Sequence, residues 1–156
     1  MLRRIGPDSP DLPRIAALIA AHPRTLLQQT EADVQALAAD PDSRVLVWDR
    51  GEGFAGFATI EALYPQVVFL TNLALTQPGR GDGGALIRAA LAVAFTGMQA
   101  HRLFCDIAFD NAAGLAAFAR AGLVREGTMR ECWLRADGWV DCHAYSMLAR
   151  EWKALT

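Results

Sequence analysis

The sequence lacks both a long apolar run and a strong excess of charge of either sign. Its longest helical apolar stretch, Ala89–Phe95, is far shorter than the roughly 20 residues that cross a bilayer. The net charge is -2, and basic residues cluster only at Arg3-Arg4, whereas nucleic-acid binders normally show a basic face. No apolar signal core precedes Gly6-Pro7. We therefore expect a cytoplasmic protein with neither a membrane nor a nucleic acid as partner.

Cysteine is scarce, and its spacing differs from that of metal-binding or disulfide-rich proteins. Cys105, Cys132 and Cys142 form no C-x-x-C motif, and an odd number of cysteines suits a reducing compartment. Cys132, Cys142 and His143 could meet across a hairpin as metal ligands, but thiols buried in strands are the simpler interpretation. We therefore expect no metal, and one domain over residues 1–156, a usual domain size.

The chain does contain a glycine-rich loop, which lies between an apolar run and an alanine-rich segment. The loop follows Val67–Leu75 and spans Gln77–Ala85, with four glycines within six residues. A helix that starts after such a loop leaves several backbone N–H groups unpaired at its N-terminus. Glycine allows a ligand to approach these groups closely, and the helix dipole favours an anion. The loop therefore predicts a phosphate site.

The loop pattern alone leaves the kind of phosphate open. Gly79-x-Gly81-x-x-Gly84 matches the dinucleotide fingerprint, and Asp106 follows at about the distance of a ribose-binding acid. A nucleotide P-loop is excluded because no Lys-Ser/Thr pair follows the glycines. A glycine-rich turn without a ligand is a further alternative. The flanking elements have to separate these alternatives.

The predicted elements follow the order β-α-α-β-β-β-α-β-α-β-β. Periodicity, caps and turns give strand Leu2–Ile5, helices from Asp11 to Pro23 and from Thr30 to Asp40, strands Arg44–Asp49, Phe54–Ala62 and Val67–Leu75, a helix from Ala85 to about Gly97, strand Leu103–Phe109, a helix from Asp110-Asn111 to Gly122, and strands Leu123–Arg135 and Trp139–Leu148. Gly51-Glu-Gly53 and Ala136-Asp-Gly138 are hairpin turns. One helical crossover predicts one parallel strand pair. A dinucleotide fold needs several successive parallel crossovers, so the predicted topology argues against a dinucleotide fold.

Three segments in this order resemble the GNAT acyltransferases. Arg80-x-x-Gly83-x-Ala85 is similar to the family signature R/Q-x-x-G-x-G/A, and Asn111–Leu123 resembles its N-x-x-A-x-x-L-Y-x-x-x-G-F helix. Val124–Arg130 and the hairpin after it resemble the RimJ/RimL-like branch, which acetylates protein N-termini and other amines. The resemblance implies an α/β (α+β) GNAT fold. Its sheet would be mixed but mostly antiparallel, with six to seven strands, about four helices and a central parallel pair splayed at the cofactor site.

The resemblance also implies acetyl-CoA as cosubstrate and assigns residues to it. The positions that would hold its pyrophosphate are Arg80, Gly81, Asp82, Gly83, Gly84 and Ala85. Leu73, Ala74 and Leu75 would offer main-chain groups to the pantetheine arm, since splayed strands leave backbone groups unpaired. Asn111 would add a side-chain hydrogen bond, besides capping its helix. Phe118 replaces a family tyrosine beside the same arm.

The implied reaction is direct acetyl transfer to the primary amine of a small molecule or a peptide N-terminus. It requires a neutral amine, so a base is expected. The candidates are Glu61, Asp106, Glu126 and Glu131. Glu61 is preferred because it closes a strand beside the expected cleft, whereas Asp106 interrupts an apolar strand where its pKa would be raised. Direct transfer needs no nucleophilic cysteine, so Cys105 receives no catalytic role.

The leaving thiolate also needs a proton or a stabilising donor. The tyrosine and serine that relatives use for this step are replaced by Phe118 and Gly114. Water, Tyr64 or Tyr145 would have to serve the thiolate instead. These replacements keep a second hypothesis open, that of a non-catalytic acyl-CoA-binding module, with a dinucleotide-binding protein as a remote third. A homodimer is compatible with each of the three.

Overall fold

The computed structural model describes residues 1–51 and 53–156. Its described elements follow the predicted order, with one further helix at the C-terminal end. Their bounds are β1 (Leu2–Ile5), α1 (Leu12–Ala21), α2 (Glu31–Ala39), β2 (Arg44–Arg50), β3 (Gly53–Tyr64), β4 (Val67–Leu75), α3 (Asp82–Ala92), β5 (Arg102–Ala108), α4 (Ala112–Arg120), β6 (Val124–Arg135), β7 (Gly138–Leu148) and α5 (Ala149–Leu155). A π-helical segment, Val93–Gly97, continues α3. The predicted turn Gly51-Glu-Gly53 includes Glu52, which lies outside the described residues.

The seven described strands form one sheet in the order β1-β2-β3-β4-β5-β7-β6. β4 and β5 are parallel, because α3 carries the chain back between them, and the other described neighbours are antiparallel. The predicted GNAT sheet with a central parallel pair is confirmed. The described strands do not form the successive parallel units that a dinucleotide fold requires.

The sheet is covered by helices on both faces, and β2 illustrates how its sequence achieves this. Val45 and Val47 are buried in a core with α1 and α2, whereas Leu46 between them is buried in a core with α3. Successive side chains of a strand point to opposite faces, so the uninterrupted apolar run fills both layers. Packing in the two cores fixes the position of the sheet edge from which the glycine loop emerges.

One predicted helix start differs from the structure, and one predicted helix cap is confirmed. α3 begins at Asp82 and not at Ala85, because Gly83 and Gly84 adopt helical backbone angles although glycine is a poor helix former. α4 is capped by Asn111, whose Oδ1 accepts a 3.0 Å hydrogen bond from the Gly114 amide. The alternative cap, Asp110, instead pairs with Arg135. The earlier start of α3 brings its free N-terminal amides into the glycine loop.

The helix α5 is absent from the predicted order. It has seven residues, which is too short for an apolar periodicity to be recognised. Trp152 of α5 stacks on Phe95 with ring centroids 5.9 Å apart, and Leu155 packs against Gly122. In the described residues, no helix has the length and hydropathy needed to cross a membrane.

Candidate active site

β4 and β5 pair over only a short part of their lengths. Their ladder runs from the Val67–Arg102 pair to the Phe69–Phe104 pair. β4 then continues to Leu75 and β5 to Ala108 without further pairing between them. The Phe69 and Phe104 rings stack 4.9 Å apart at the point of separation. The predicted splay of the parallel pair is therefore present, and it begins immediately after these two rings.

A β-bulge in the pairing of β3 with β4 lies at the same point. Leu70 pairs with Ile60 and Asn72 pairs with Thr59, so Thr71 has no partner of its own on β3. A bulge of this kind bends its strand and increases the local twist. The bend accounts for the separation of β4 from β5 directly after Phe69.

The glycine loop ends in the first turn of α3, at the mouth of the gap. Gly79 and Gly81 adopt left-handed backbone conformations, with φ values of 87° and 86°, which residues with a side chain rarely adopt. No described residue accepts a hydrogen bond from the backbone amides of residues 80 to 84. These amides, three of which belong to glycines, are free to bind an anion.

Gly83 occupies open space inside this turn. A Cβ added there would meet nothing closer than Leu75 Cδ1, at 4.0 Å, and the Gly83 backbone is not left-handed. A left-handed backbone is therefore not the reason for a glycine at position 83; the left-handed glycines of this loop are Gly79 and Gly81. Two arginines border the turn, because Arg50 Nη2 lies 3.3 Å from the Asp82 carboxylate and Arg88 Nη1 lies 3.4 Å from the Cβ position of Gly84.

Three cavities lead from the glycine loop through the gap between the strands. The first, here called the cofactor cleft, has a volume of about 310 Å³. Its lining includes six residues to which the family resemblance assigns a cofactor contact: Leu73, Ala74, Leu75, Gly83, Asn111 and Phe118. The other predicted cofactor residues, Arg80, Gly81, Asp82, Gly84 and Ala85, belong to the loop and the helix turn at its outer end.

The second cavity, here called the throat, has a volume of only about 50 Å³. Leu73, Asn111 and Phe118 line both the throat and the cofactor cleft. Thr71 and Asp106 line both the throat and a third cavity of about 300 Å³, here called the acceptor cavity. The gap between β4 and β5 therefore joins two larger spaces through one narrow passage.

Asp106 and Glu61 differ in their access to this passage. Asp106 lies on β5 between the buried residues Cys105 and Ile107, and its carboxyl faces the throat and the acceptor cavity. Desolvation raises the pKa of Asp106. Glu61 lines none of the three cavities; its Oε2 accepts a hydrogen bond from the Thr71 hydroxyl. Asp106 therefore lines the throat directly, whereas Glu61 is linked to the throat only through its hydrogen bond with Thr71.

The segment between α1 and α2 forms a further wall of the site. Thr25 lines all three cavities. Asn72 of β4 holds the segment, since its side chain accepts a 2.9 Å hydrogen bond from the Leu27 amide and donates one of 2.9 Å to the Leu27 carbonyl. Sequence reasoning missed this role; a buried asparagine within the apolar run of β4 was the available signal.

A buried arginine fixes the same segment from the other side. Arg135 of β6, with 3% of its side chain exposed, binds the Asp110 carboxylate through two hydrogen bonds of 2.8 and 2.7 Å and donates one of 2.5 Å to the Arg24 carbonyl. The guanidinium of Arg135 lowers the pKa of Asp110 to about 2. Arg24 also pairs with Asp137 at 3.2 Å. The loops around the acceptor cavity are thus connected by ion pairs.

Several other predicted residues lie outside the passage. Glu126 pairs with Arg102 at 2.5 Å and accepts a hydrogen bond from Ser146, and Arg102 lowers the pKa of Glu126 to about 2. Glu131 lies in a separate hollow with Asp141.

Neither tyrosine proposed for the leaving thiolate lines the three cavities. Tyr64 is 63% exposed and borders a hollow of about 490 Å³ with Asp40 and Met98, away from the strand gap. Tyr145 is buried in the core beneath α3 and α4. Among the described residues lining the throat, the hydroxyl groups are those of Thr25 and Thr71.

The three cysteines differ in their exposure. Cys105 and Cys142 are buried, as predicted, but Cys132 is exposed because it lies in an irregular part of β6 between Met129 and Trp133. Burial raises the pKa of Cys105, and burial next to Cys132 raises the pKa of Cys142 to about 12. Within the described part of the chain, no three potential metal ligands come together.

Known proteins with the same fold include N-acetyltransferases. The family model for the acetyltransferase (GNAT) family matches residues 13–123. Spermidine N-acetyltransferase from Vibrio cholerae, in complex with CoA and spermine, has 18% identity and a TM-score of 0.83, over 98% of this chain and 97% of that one. A chimera of the Vibrio cholerae enzyme SpeG and hSSAT has 17% identity and a TM-score of 0.84, over 98% and 99%. No curated protein matches the chain significantly.

Proposed function

Because the chain belongs to the acetyltransferase (GNAT) family, we propose that it transfers the acetyl group of acetyl-CoA directly to a primary amine. Residues 1–156 would act as one N-acyltransferase domain. The observation that carries this proposal is the continuous passage from the glycine loop through the throat to the acceptor cavity. Such a passage allows two substrates to enter from opposite sides and to meet at Thr71 and Asp106.

The residues at the outer end fit the diphosphate of a coenzyme. The free amides of residues 80 to 84 provide donors at the positive end of the α3 dipole. The open space at Gly83 leaves room for an anion in contact with the backbone. Arg50 and Arg88 contribute positive charge beside the turn. Along the cleft, Leu73–Leu75 pair with β3 on one side but not with β5 on the other, and their backbone groups on the open side would bind the amides of the pantetheine arm.

The groups at the throat fit the requirements of amine acetylation. When bound, acetyl-CoA supplies an acetyl thioester to this site. Asp106 would accept a proton from the incoming amine, directly or through water, because it has a raised pKa and reaches the acceptor cavity. Thr71 would position Glu61 as a second proton acceptor behind it. Close apposition of the two substrates in a narrow passage would contribute to the rate.

The class of amine is supported by two independent similarities. The RimJ/RimL-like segment Val124–Arg130 is typical of enzymes that acetylate protein N-termini and other amines. One structurally similar protein was solved with spermine, a small-molecule amine. We therefore propose a primary amine on a peptide N-terminus or a small molecule as acceptor. A homodimer in the cytoplasm is part of the same proposal.

The test is release of coenzyme A in the presence of acetyl-CoA and a panel of primary amines. Release above the amine-free background by the wild-type protein supports the proposal. Asp106→Asn should abolish most of it, and Asp42→Asn, at an exposed carboxylate in the hollow by Tyr64, is the matched control. Acetyl-CoA binding without release for any amine class would contradict the proposed activity.

A second candidate is a module that binds acyl-CoA without turnover. It is favoured by Phe118 and Gly114, which replace the tyrosine and serine that relatives use as acids. A side chain at position 114 is also sterically opposed, because its Cβ would lie 2.6 Å from Asn111 Nδ2. Turnover that disappears in Asp106→Asn would eliminate this candidate.

A further inference from the structure

The acceptor cavity is mostly apolar. Its walls include the rings of Phe69 and Trp133 and the side chains of Leu27 and Met129. Its volume of about 300 Å³ is at the lower end of the roughly 300–1,000 Å³ typical of small-molecule sites. Walls of this kind bind a compact hydrophobic group through the removal of apolar surface from water.

Among the described residues that line this cavity, Asp106 is the one carboxylate. Of the other carboxylates on the flanking strands and loops, Glu126 pairs with Arg102 at 2.5 Å and Asp110 with Arg135 at 2.7 Å, whereas Glu131 and Asp141 lie in a separate hollow. Glu61 lies behind Thr71, outside the cavity lining. The charge of the cavity therefore matches one ammonium group, which would lie next to Asp106.

Further ammonium groups would have no carboxylate partner within the cavity. A polyamine carries its additional charges along a flexible chain, and burying each charge without a partner is unfavourable. An aromatic ring, in contrast, would contact the apolar walls formed by Phe69 and Trp133. The guanidinium of Arg135 already lies over the Trp133 ring, 5.8 Å from its centroid, and would repel additional ammonium groups there. The charge and the lining together favour a monoamine with an apolar body.

We propose that the acceptor is a small primary monoamine carrying a compact aromatic or aliphatic group. This inference rests on the proposed function for the chemistry at the throat, but its binding component is measurable separately. It differs from the polyamine that accompanies the similar Vibrio cholerae structure. Trp133 and Met129 would be the residues that determine this specificity.

The experiment compares 2-phenylethylamine, spermidine and a tripeptide with a free N-terminus. For each amine, kcat/KM is measured from coenzyme A release, and the dissociation constant is measured by calorimetry with the CoA-bound protein. We expect 2-phenylethylamine to exceed spermidine and the tripeptide by roughly tenfold or more in both quantities. Equal or better values for spermidine or for the tripeptide would overturn the inference while leaving the proposed function intact.

Two variants and a control identify the cavity. Trp133→Ala should weaken 2-phenylethylamine binding by roughly tenfold or more. Trp139→Ala should leave 2-phenylethylamine binding unchanged, because Trp139 is 59% exposed and does not line the cavity. Met129→Glu, at a side chain that is 36% exposed, supplies a second carboxylate and should move the preference toward spermidine. This variant keeps the test decisive even if Trp133→Ala fails to fold.

The two levels of the proposal fail in different ways. Trp133-dependent binding of 2-phenylethylamine without coenzyme A release from any amine would overturn the proposed function and support the binding inference. Unchanged amine preference in Met129→Glu, together with unchanged binding in a folded Trp133→Ala protein, would overturn the binding inference alone.

Discussion

The substitution Gly83→Val tests whether the amides at the start of α3 bind the diphosphate of the coenzyme. In the folded protein, an added Cβ would lie 4.0 Å from Leu75 Cδ1, and the backbone of Gly83 is not left-handed. Valine is a slightly better helix former than glycine, by a few tenths of a kcal/mol. We therefore expect the midpoint of thermal unfolding to change by less than about 2 °C.

The expected effect on binding is much larger. The side chain would occupy the space next to the free amides of residues 82 to 84 and hold the phosphate oxygens away from them. A hydrogen bond to a charged group contributes about 1.5–3 kcal/mol. Loss of two of them would cost about 3–6 kcal/mol, so the dissociation constant for CoA should rise roughly 10²- to 10⁴-fold.

Calorimetric titration with CoA and thermal unfolding without ligand provide the two measurements. Gly6→Val is the control, because a Cβ there meets nothing within 4 Å and Gly6 lines neither the glycine loop nor the cofactor cleft. Gly81→Val is the opposite case, since its φ of 86° predicts a loss of folding stability. Unchanged CoA affinity in a folded Gly83→Val protein would refute the proposed position of the diphosphate.

Three further predictions concern the throat, the ion pairs and the ligand. Asp106→Asn should lower kcat/KM by roughly 10²- to 10⁴-fold and remove the acidic limb of the pH–rate profile. In the wild-type protein this limb should lie above the usual aspartate pKa, because desolvation raises the pKa of Asp106. An unchanged limb in the variant, or a larger loss of activity in Glu61→Gln, would assign the base elsewhere. Asp110→Ala should lower the free energy of unfolding by about 2–3 kcal/mol in urea titrations. This is less than the roughly 3–5 kcal/mol for breaking a fully buried pair, because the Asp110 side chain is 36% exposed. Adding Arg135→Met to the same protein should restore part of the lost stability. Since Arg135 lowers the pKa of Asp110 to about 2, the stabilisation by this pair is present above the unfolded-state pKa of Asp110 and is lost as the pH falls toward 2. If acidification to pH 2 destabilised the wild-type protein no more than Asp110→Ala, the pairing would be contradicted. Coenzyme A at about 100 times its dissociation constant should raise the unfolding midpoint by roughly 5–10 °C, and stabilisation by NADH instead of CoA would restore the dinucleotide alternative.

The parts of the site that sequence predicts are those with local signals. The apolar run Val67–Leu75 and the four glycines after it predict a strand, a loop and a helix without reference to the rest of the chain. The helical crossover then predicts the parallel pair, because connections of this kind have one preferred geometry. The splay of that pair followed only from the family resemblance.

The remaining features depend on contacts between distant residues. Asn72 binds Leu27, which lies 45 positions away, and Arg135 binds Asp110 across 25 positions. Neither pairing leaves a periodic pattern in the sequence. The β-bulge at Thr71 likewise depends on the register of β3 against β4. Because the sequence does not give that register, the preference for Glu61 over Asp106 as the base rests only on the predicted ends of the strands. In the structure, Asp106 lines the throat and Glu61 does not.

The β-bulge at Thr71 also bears on how fast a ligand could bind. Because the register between β3 and β4 bends β4, the separation from β5 is part of the fold itself. Association then requires no interstrand hydrogen bonds to be broken and no slow rearrangement of the backbone. We expect the rate constant for coenzyme association to be independent of any preceding conformational step, and to fall within the roughly 10⁵–10⁷ M⁻¹s⁻¹ typical of preformed sites.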